Sequence, residues 1–444
     1  MQDGSETRSE TPSGYTPIAV TGKRRLSRRA RLAIVISASA VAVLGFGGAA
    51  AAWVWGPERE AVPPAAVEDR APTPDPSPPA ESESSADPDP EVASEPADGR
   101  ARVIAMGDML PHDSVNGNAL QPDGTYEYGQ FFAGIAPQLA AADVAFCNQE
   151  VPSAGVDFGI SGYPTFNAPA EFAGGLHAVA GCDLVNLATN HSADLGPAGI
   201  AATRGVWDGL TPSAVDGANR TAEEQRAVPV FEQNGMTFAL VSFAEYSNAP
   251  IDGVSLNMMS DEALVTDLMA QASELADVVV VSAHWGTEDS HEVNDQQRAF
   301  AQRVADLGAD VIVGTGPHVL QPMAWLDRAD GGRTLVWYSI GNMLNTQLEL
   351  DQRTGVIAGF DAVRDPASGA VTVENPTAVL TYMHYDWTAE QEAAGDLLAR
   401  TNLSITPLAQ ADDLLATTRF GVTAEQQIAA SAAILGPDVA ILPE

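Results

Sequence analysis

Lysine is almost missing from this chain of 444 residues, with Lys23 the only one. Basic side chains of both kinds number 22 against 59 acidic ones, for a formal charge of −37. That scarcity of cations excludes a nucleic-acid partner, because a phosphate backbone would be repelled. A divalent metal or a cationic partner suits such a surface better. The reliance on arginine carries no mechanism of its own. Cysteine occurs twice, as Cys147 and Cys182. Cys147 stands three residues before Glu150, and Cys182 eight before Asn190. If those two polar strand ends are level, an offset of about five residues at roughly 3.3 Å each exceeds what a disulfide spans. The expectation is therefore two free, buried thiols. No internal repeat is visible.

Long apolar runs are also missing, with one exception. Residues 32–55 form 24 consecutive uncharged residues, enough for a membrane span of about 20, and Trp53 and Trp55 stand where an aromatic belt would lie. Residues 1–31 carry seven basic side chains against three acidic ones, a local +4 that leaves −41 for the rest. The basic flank predicts a cytoplasmic tail over 1–31, a transmembrane anchor over 32–55, and an extracellular remainder. A cleaved signal peptide would have a shorter apolar region, about 7–15 residues, so an uncleaved anchor is expected. Residues 56–100 are rich in Pro, Glu, Asp, Ser and Ala. They cannot bury enough surface to offset chain entropy and read as an extended linker.

From Ala101 onward the chain reads as α/β, with strand patterns at 102–106, 143–148 and 183–189 alternating with helical ones at 131–141, 169–180 and 197–208. That rhythm predicts a largely parallel sheet covered by helices. Asn234-Gly235 joins two β-like runs as a hairpin. Helix 261–275 with Ser260 as N-cap, strand 278–283 and helix 295–307 resume the alternation. Residues 333–339 and 355–363 read as antiparallel. After Trp387 the chain reads as helical, with capping boxes at Thr388/Gln391 and Thr423/Gln426. Length alone leaves the domain count open. The composition divides the chain into a globular part over 101–387 and a C-terminal helical extension over 388–444.

Several β-like runs stop on a ligating side chain: Val103–Met106 on Gly107-Asp108, Val144–Phe146 on Asn148-Gln149-Glu150, Asp183–Thr189 on Asn190-His191, Val278–Ala283 on His284, and Val311–Val313 through Gly316-Pro317 to His318. Ligands delivered from separate strand ends to one sheet edge are how a metal centre is assembled. Asp108, Glu150, Asn190, His284 and His318 are candidate metal ligands, Glu150 having an outer-shell or substrate-binding role as its alternative. His191 is the candidate catalytic donor. Glu288 could ligate metal, orient His284 or bind an ammonium group. Arg298 is a helix-surface residue or an anion contact. Asp194 is expected to hold the Asn190-His191 loop through backbone hydrogen bonds, and His177 and His384 to be structural.

With these stretches in view, residues 101–347 resemble the CapA-type capsule-synthesis proteins, implicated in poly-γ-glutamate production and belonging to the metallophosphatase-like (calcineurin-like) superfamily. The matching stretches are Met106–Leu110, Ala142–Glu150, Thr189–Gly196, His284–Glu288, Gly314–Pro322 and Tyr338–Asn342. The resemblance implies a four-layer α/β sandwich, with Asp108, Glu150 and His318 on one metal and Glu150, Asn190 and His284 on a second. Binding of manganese, zinc or iron there is expected to be at most weak, saturable only with excess metal, and weaker in acid as imidazoles protonate. Tyr338, Ser339 and Asn342 would line the edge. The partners implied are the cell membrane, an anionic capsule polymer and other capsule-synthesis membrane proteins. Two departures stand out. Leu110 and Gly316 occupy positions where phosphatases place histidines, so each metal would have three protein ligands, with Glu288, His291 or His112 as substitutes. Gly316→His is expected to strengthen metal binding if the loop tolerates it. Two functions remain open: a membrane-anchored accessory that guides an anionic polymer, or a metal-dependent hydrolase of phosphoesters or amide-linked polymer.

Overall fold

Residues 99–443 are described in the computed structural model of this protein. The tail, the anchor over 32–55 and nearly all of the linker lie outside them. Among the described residues no helix is long and apolar enough to cross a membrane.

The described residues contain fifteen strands in two sheets. The first is built on β1 (Arg100–Met109), β2 (Val144–Gln149), β3 (Cys182–Asn186) and β4 (Ala214–Asp216), which run parallel. The second holds β5 (Val230–Gln233), β6 (Met236–Ala244), β7 (Val278–His284), β8 (Val311–Thr315), β9 (Met323–Asp327) and β10 (Arg333–Trp337), in the order β5-β6-β7-β8-β10-β9. Its β6, β7, β8 and β10 are parallel, and β5 and β9 are antiparallel edges. Returning to the first sheet, β11 (Asn342–Leu344) pairs with the end of β1, and β12 (Thr354–Arg364) lies antiparallel along β1. Beyond β12 come β13 (Val371–Asp386), β14 (Thr401–Pro407) and β15 (Ala440–Leu442).

Alternation along the strands sorts side chains between three cores. Val103, Val144 and Leu184 of the first sheet pack with Phe238, Val280 and Trp337 of the second. Their neighbours Ile104, Ala145 and Val185 face Phe172, Leu176 and Trp207 from the helices Ala170–Ala178 and Gly196–Leu210. Val279, Val281 and Ile312 face Leu264, Leu268 and Phe300 from the helices Glu262–Leu275 and Asp295–Asp306. Two buried sheet interiors follow from strands that are apolar at nearly every position.

Several expected elements differ in detail. The helix expected over 131–141 is a 3-10 segment, Gly129–Ile135, followed by the short helix Ala136–Ala140. Pro137 has no N–H to continue an α-helical ladder, which explains the break. Asp261, not Ser260, caps the helix Glu262–Leu275, its Oδ1 accepting from Leu264 N. The segment after Trp387 does carry both expected capping boxes. It is not helical throughout, because it also supplies β14 and β15 to the first sheet.

The expectation of free thiols is wrong: Cys147 and Cys182 form a disulfide, with Cα atoms 5.6 Å apart. The premise of level polar ends fails because β3 stops at Asn186, level with Asn148, and Asn190 comes four residues later in a loop. Cys182 therefore lies opposite Ala145, two residues from Cys147. Closing a loop of this length, with the cysteines 35 positions apart in sequence, should stabilise the domain by about 3–4 kcal/mol. Replacing both cysteines by alanine should lower the denaturant midpoint accordingly. An unchanged midpoint would show that the cross-link constrains little.

Candidate metal centre

Asp108 closes β1 at the edge where β2, β7 and β8 also end. Gly107 makes its position accessible: a Cβ there would lie 1.9 Å from the carbonyl oxygen of Gly341, so only glycine lets the two chains approach. Asp108 N then donates to that oxygen at 3.0 Å, and Asp108 pairs with Asn342. The carboxylate is fully buried and well supplied with donors. Asn148 Nδ2 donates to Oδ1 at 2.7 Å, Gly316 N donates at 3.2 Å to Oδ2, and His318 Nδ1 at 3.0 Å to Oδ2. Burial opposes ionisation, but the hydrogen bond and charge of His318, with the charge of His284, hold Asp108 below the usual carboxylate range.

His318 has a left-handed backbone, φ 61°, uncommon for a residue other than glycine. Its Nδ1–H is shared with Asn342 Oδ1 at 3.0 Å. The Asn342 amide nitrogen donates to Gln347 Oε1 and Gln352 O, which fixes its oxygen toward the imidazole. His318 Nε2 is thereby left facing Glu150, 3.8 Å from Oε1. Burial would lower the imidazole, yet the charges of Glu150 and Asp108 outweigh it and raise its pKa to about 10.

Glu150 is the anomaly. Both carboxylate oxygens are buried, and among the described residues neither has a hydrogen-bond partner. Burial pushes this group well above its ordinary range, although the His318 charge opposes. Asp108, Glu150 and His318 can each offer one ligand atom within 4.8 Å of the others. Among the described residues no other group of three histidine, cysteine or acidic side chains does so. A buried carboxylate without partners is what a cation would satisfy, and two carboxylates with an imidazole suit a hard or borderline divalent ion.

The second expected pair lies alongside. His284 Nε2–H donates to Asn190 Oδ1 at 2.9 Å, and its Nδ1 accepts from the Thr315 hydroxyl at 3.0 Å. Burial draws His284 down to about 4 against the pull of Asp108, so its ring is neutral. Two donors about 3 Å apart can share one ion at bond lengths near 2.1 Å. Gly316 sits between the pairs, donating to Asp108 while its Cβ position lies 3.3 Å from His284 Nε2.

His191 is oriented by Asp194, whose Oδ2 accepts from its Nδ1 at 2.8 Å and from Phe166 N at 2.7 Å. Asp194 thus works through its side chain on the ring, not only through the loop backbone. Nε2 of His191 is left as an acceptor, 3.3 Å from Asn248 Nδ2. Phe166 packs edge-on against both His191 and His112, with centroids 4.6 and 5.6 Å away.

Other expected residues are not among the three side chains that can share an ion, although the charge of Glu288 acts on Glu150 and His318. Glu288 is exposed and accepts from Tyr246 Oη at 3.2 Å. His291 contacts Leu320 O and Asp351 with its two ring nitrogens, so it does not substitute for a ligand. Arg298 lies on its helix surface near Asp295. Tyr338 stacks on Trp285, and Ser339 Oγ donates to Val319 O, so both support loops. Of the edge-lining three, Asn342 alone touches a candidate ligand. Sequence reasoning missed the amide relay in which Asn186 Nδ2 donates to Asn148 Oδ1 and Asn148 to Asp108. Asn148 lay inside the recognised stretch, but only strand register reveals its partner. Asn248 carried no signal beyond following β6 at the same edge.

The family model described as "Bacterial capsule synthesis protein PGA_cap" matches residues 102–347. The PGA biosynthesis protein CapA of Bacillus subtilis (strain 168) is 32% identical over 172 residues, 37% of this chain and 43% of that protein. The capsule biosynthesis protein CapA of Bacillus anthracis is 31% identical over 175 residues, 38% of this chain and 41% of that one. The chain thus spans less than half the length of either relative. A crystal structure of a hypothetical protein from Thermus thermophilus aligns with 63% of this chain and 99% of its own, at 15% identity and a TM-score of 0.39. A second protein of that bacterium aligns at a TM-score of 0.33 and 10% identity, covering 62% of this chain and 98% of its own.

Proposed function

From the premise that this chain belongs to the bacterial capsule synthesis protein PGA_cap family, we propose that it takes part in making or exporting a poly-γ-glutamate capsule polymer. In this reading residues 32–55 anchor it in the cell membrane, and the domain from Ala101 works outside the cell with the membrane-bound capsule machinery. The two facing sheets and their outer helices support a four-layer sandwich of the metallophosphatase-like type. The observation that carries the reading is that the family match encloses the whole polar edge from Asp108 to Asn342.

Asp108, Glu150 and His318 would hold a manganese, zinc or iron ion, and Asn190 and His284, with Glu150, a second. Such an ion supplies Lewis-acid polarisation of a bound carbonyl or phosphoryl oxygen. The chain's own groups do the rest. Asn342 and Asp108 accept from His318 Nδ1, which leaves Nε2 as the nitrogen an ion would take in place of its proton, and Asp194 accepts from His191 Nδ1. His191 can then take or give a proton at Nε2. That dyad is the observation favouring a second reading, a metal-dependent hydrolase of phosphoesters or of amide-linked polymer. With −41 outside the first 31 residues, polymer contact has to be local.

Deleting the gene in its native host should abolish cell-associated γ-linked glutamate polymer, measured after acid hydrolysis, and an Asp108→Ala/His318→Ala copy should fail to restore it. Polymer levels unaffected by deletion would remove the capsule role. Restoration by the double variant would remove the role of the polar edge.

A further inference from the structure

Beyond the region that the family model matches, three guanidinium groups and several aromatic rings alternate. Arg400 stands 4.7 Å from the Trp387 ring and 5.1 Å from Tyr385. Arg353 lies 3.9 Å over Tyr385 and 5.3 Å from Phe420, and Arg419 lies 5.4 Å from Phe420. Arg353, Tyr385, Trp387, Arg419 and Phe420 line a cavity of about 370 Å³, within the size range of small-molecule sites.

The charges here do not balance. Arg353 and Arg400 are each 4% exposed, and among the described residues neither has a carboxylate within ion-pair distance. Arg353 donates from Nε to Met383 O at 2.9 Å and from Nη2 to Tyr382 Oη at 2.6 Å, both neutral acceptors. Arg400 donates from Nη1 to Thr346 O, while its buried Nε has no partner. Burial pulls both below the usual arginine range, but a guanidinium remains charged in proteins. Two buried cations without counter-ions are costly, and ring faces offset that only in part. The acids at the cavity are already engaged. Asp386 accepts from His384 Nε2 at 2.9 Å and from Asn402 Nδ2 at 2.5 Å, and Glu392 pairs with Arg419 at 3.2 Å.

We propose that this arginine-aromatic cavity is a binding site for a carboxylate carried on an apolar body. The carboxylate would pair with Arg353, and the body would lie on the faces of Tyr385, Trp387 and Phe420. Trp387 spends its Nε1–H on Asp396 O at 2.9 Å, so it offers a ring face. A dianionic phosphate fits less well, because Asp386 and Glu392 would repel its second charge. The site joins the metal centre through the loop at 345–353. Gln347 and Gln352 in that loop hold Asn342, while its Thr346 and Gln347 carbonyls accept from Arg400 and Tyr385.

The test is equilibrium dialysis of the full chain against labelled hexanoate at constant ionic strength. One saturable site in the millimolar range is expected, unaffected by equimolar phosphate and unchanged by Glu150→Met at the metal centre. Arg353→Met should weaken it by about tenfold or more, the scale of one lost charge-assisted contact. Should that variant fail to fold, Thr417→Trp, at an exposed cavity-lining position, fills the space with every charge retained and should cause the same loss. The proposal is overturned if the native chain shows no saturable binding, if phosphate competes equally, if Thr417→Trp folds and binds as before, or if Glu150→Met abolishes binding.

Discussion

Glu150→Met should leave the metal-free protein as stable as before or more so, by up to about 3 kcal/mol, and should abolish the stabilisation conferred by manganese or zinc. The expected gain comes from Glu150 Oε1 and Oε2, both buried and without hydrogen bonds. A methionine of similar length removes that desolvation cost while His318 keeps Asp108 and Asn342 at Nδ1. Asp108→Ala should do the opposite without metal. It strands Asn148 Nδ2, Gly316 N and His318 Nδ1 and should cost about 3–5 kcal/mol. Both variants should lose the metal-induced stabilisation, which metal at about 100 times Kd would set near 2.7 kcal/mol in the native chain. Calorimetry with and without chelator reads all three quantities. Undiminished metal stoichiometry in Glu150→Met would dismiss the ion site.

Gly316→His should destabilise the protein by about 3 kcal/mol or more and weaken metal binding, the reverse of the expectation that a restored imidazole would strengthen it. Gly316 has φ 105°, where a side chain is strained. Its Cβ would lie 2.8 Å from the carbonyl oxygen of Trp285 and 3.1 Å from Trp285 N, backbone atoms that cannot swing aside. Movement of the loop to relieve this contact would also withdraw Gly316 N from Asp108. Chemical denaturation of Gly316→Ala and Gly316→His separates the two contributions, since alanine carries the backbone strain and the clash without an imidazole. A Gly316→His variant as stable as the native chain, with tighter metal binding, would show that the loop is more adaptable than its contacts imply.

The polar edge was legible because parallel strands carry their carboxyl ends to one side of a sheet, which placed Asp108 on such an edge of the first sheet and His284 and His318 on that of the second; that the two edges meet is set by how the sheets pack. Local signals with a backbone cause also survived. Asn234 and Gly235 adopt φ 52° and 73°, as a hairpin of two left-handed residues requires, and Thr388 and Thr423 cap their helices as their spacing implied. What depends on pairing across the chain was not legible. The β3 register, the Asn186–Asn148–Asp108 relay and the addition of β14 and β15 to β13 are set by contacts far apart in sequence. Apolar Leu187 and Ala188 continue the pattern of β3 after its ladder has ended, which makes the strand look longer in sequence than it is. Nothing around Arg353 and Arg400 in the chain hinted that neither has a carboxylate within ion-pair distance among the described residues.

The Cys147–Cys182 bond also bears on where the domain can mature. Thiol pairs inside a bacterial cell are kept reduced, and cross-links of this kind form and persist beyond the membrane. A chain retained in the cytoplasm would keep Cys147 and Cys182 as thiols, leaving β2, the strand that leads to Glu150, joined to β3 by hydrogen bonds and packing alone. On the proposed reading that the domain works outside the cell, export would complete the covalent framework beneath the polar edge.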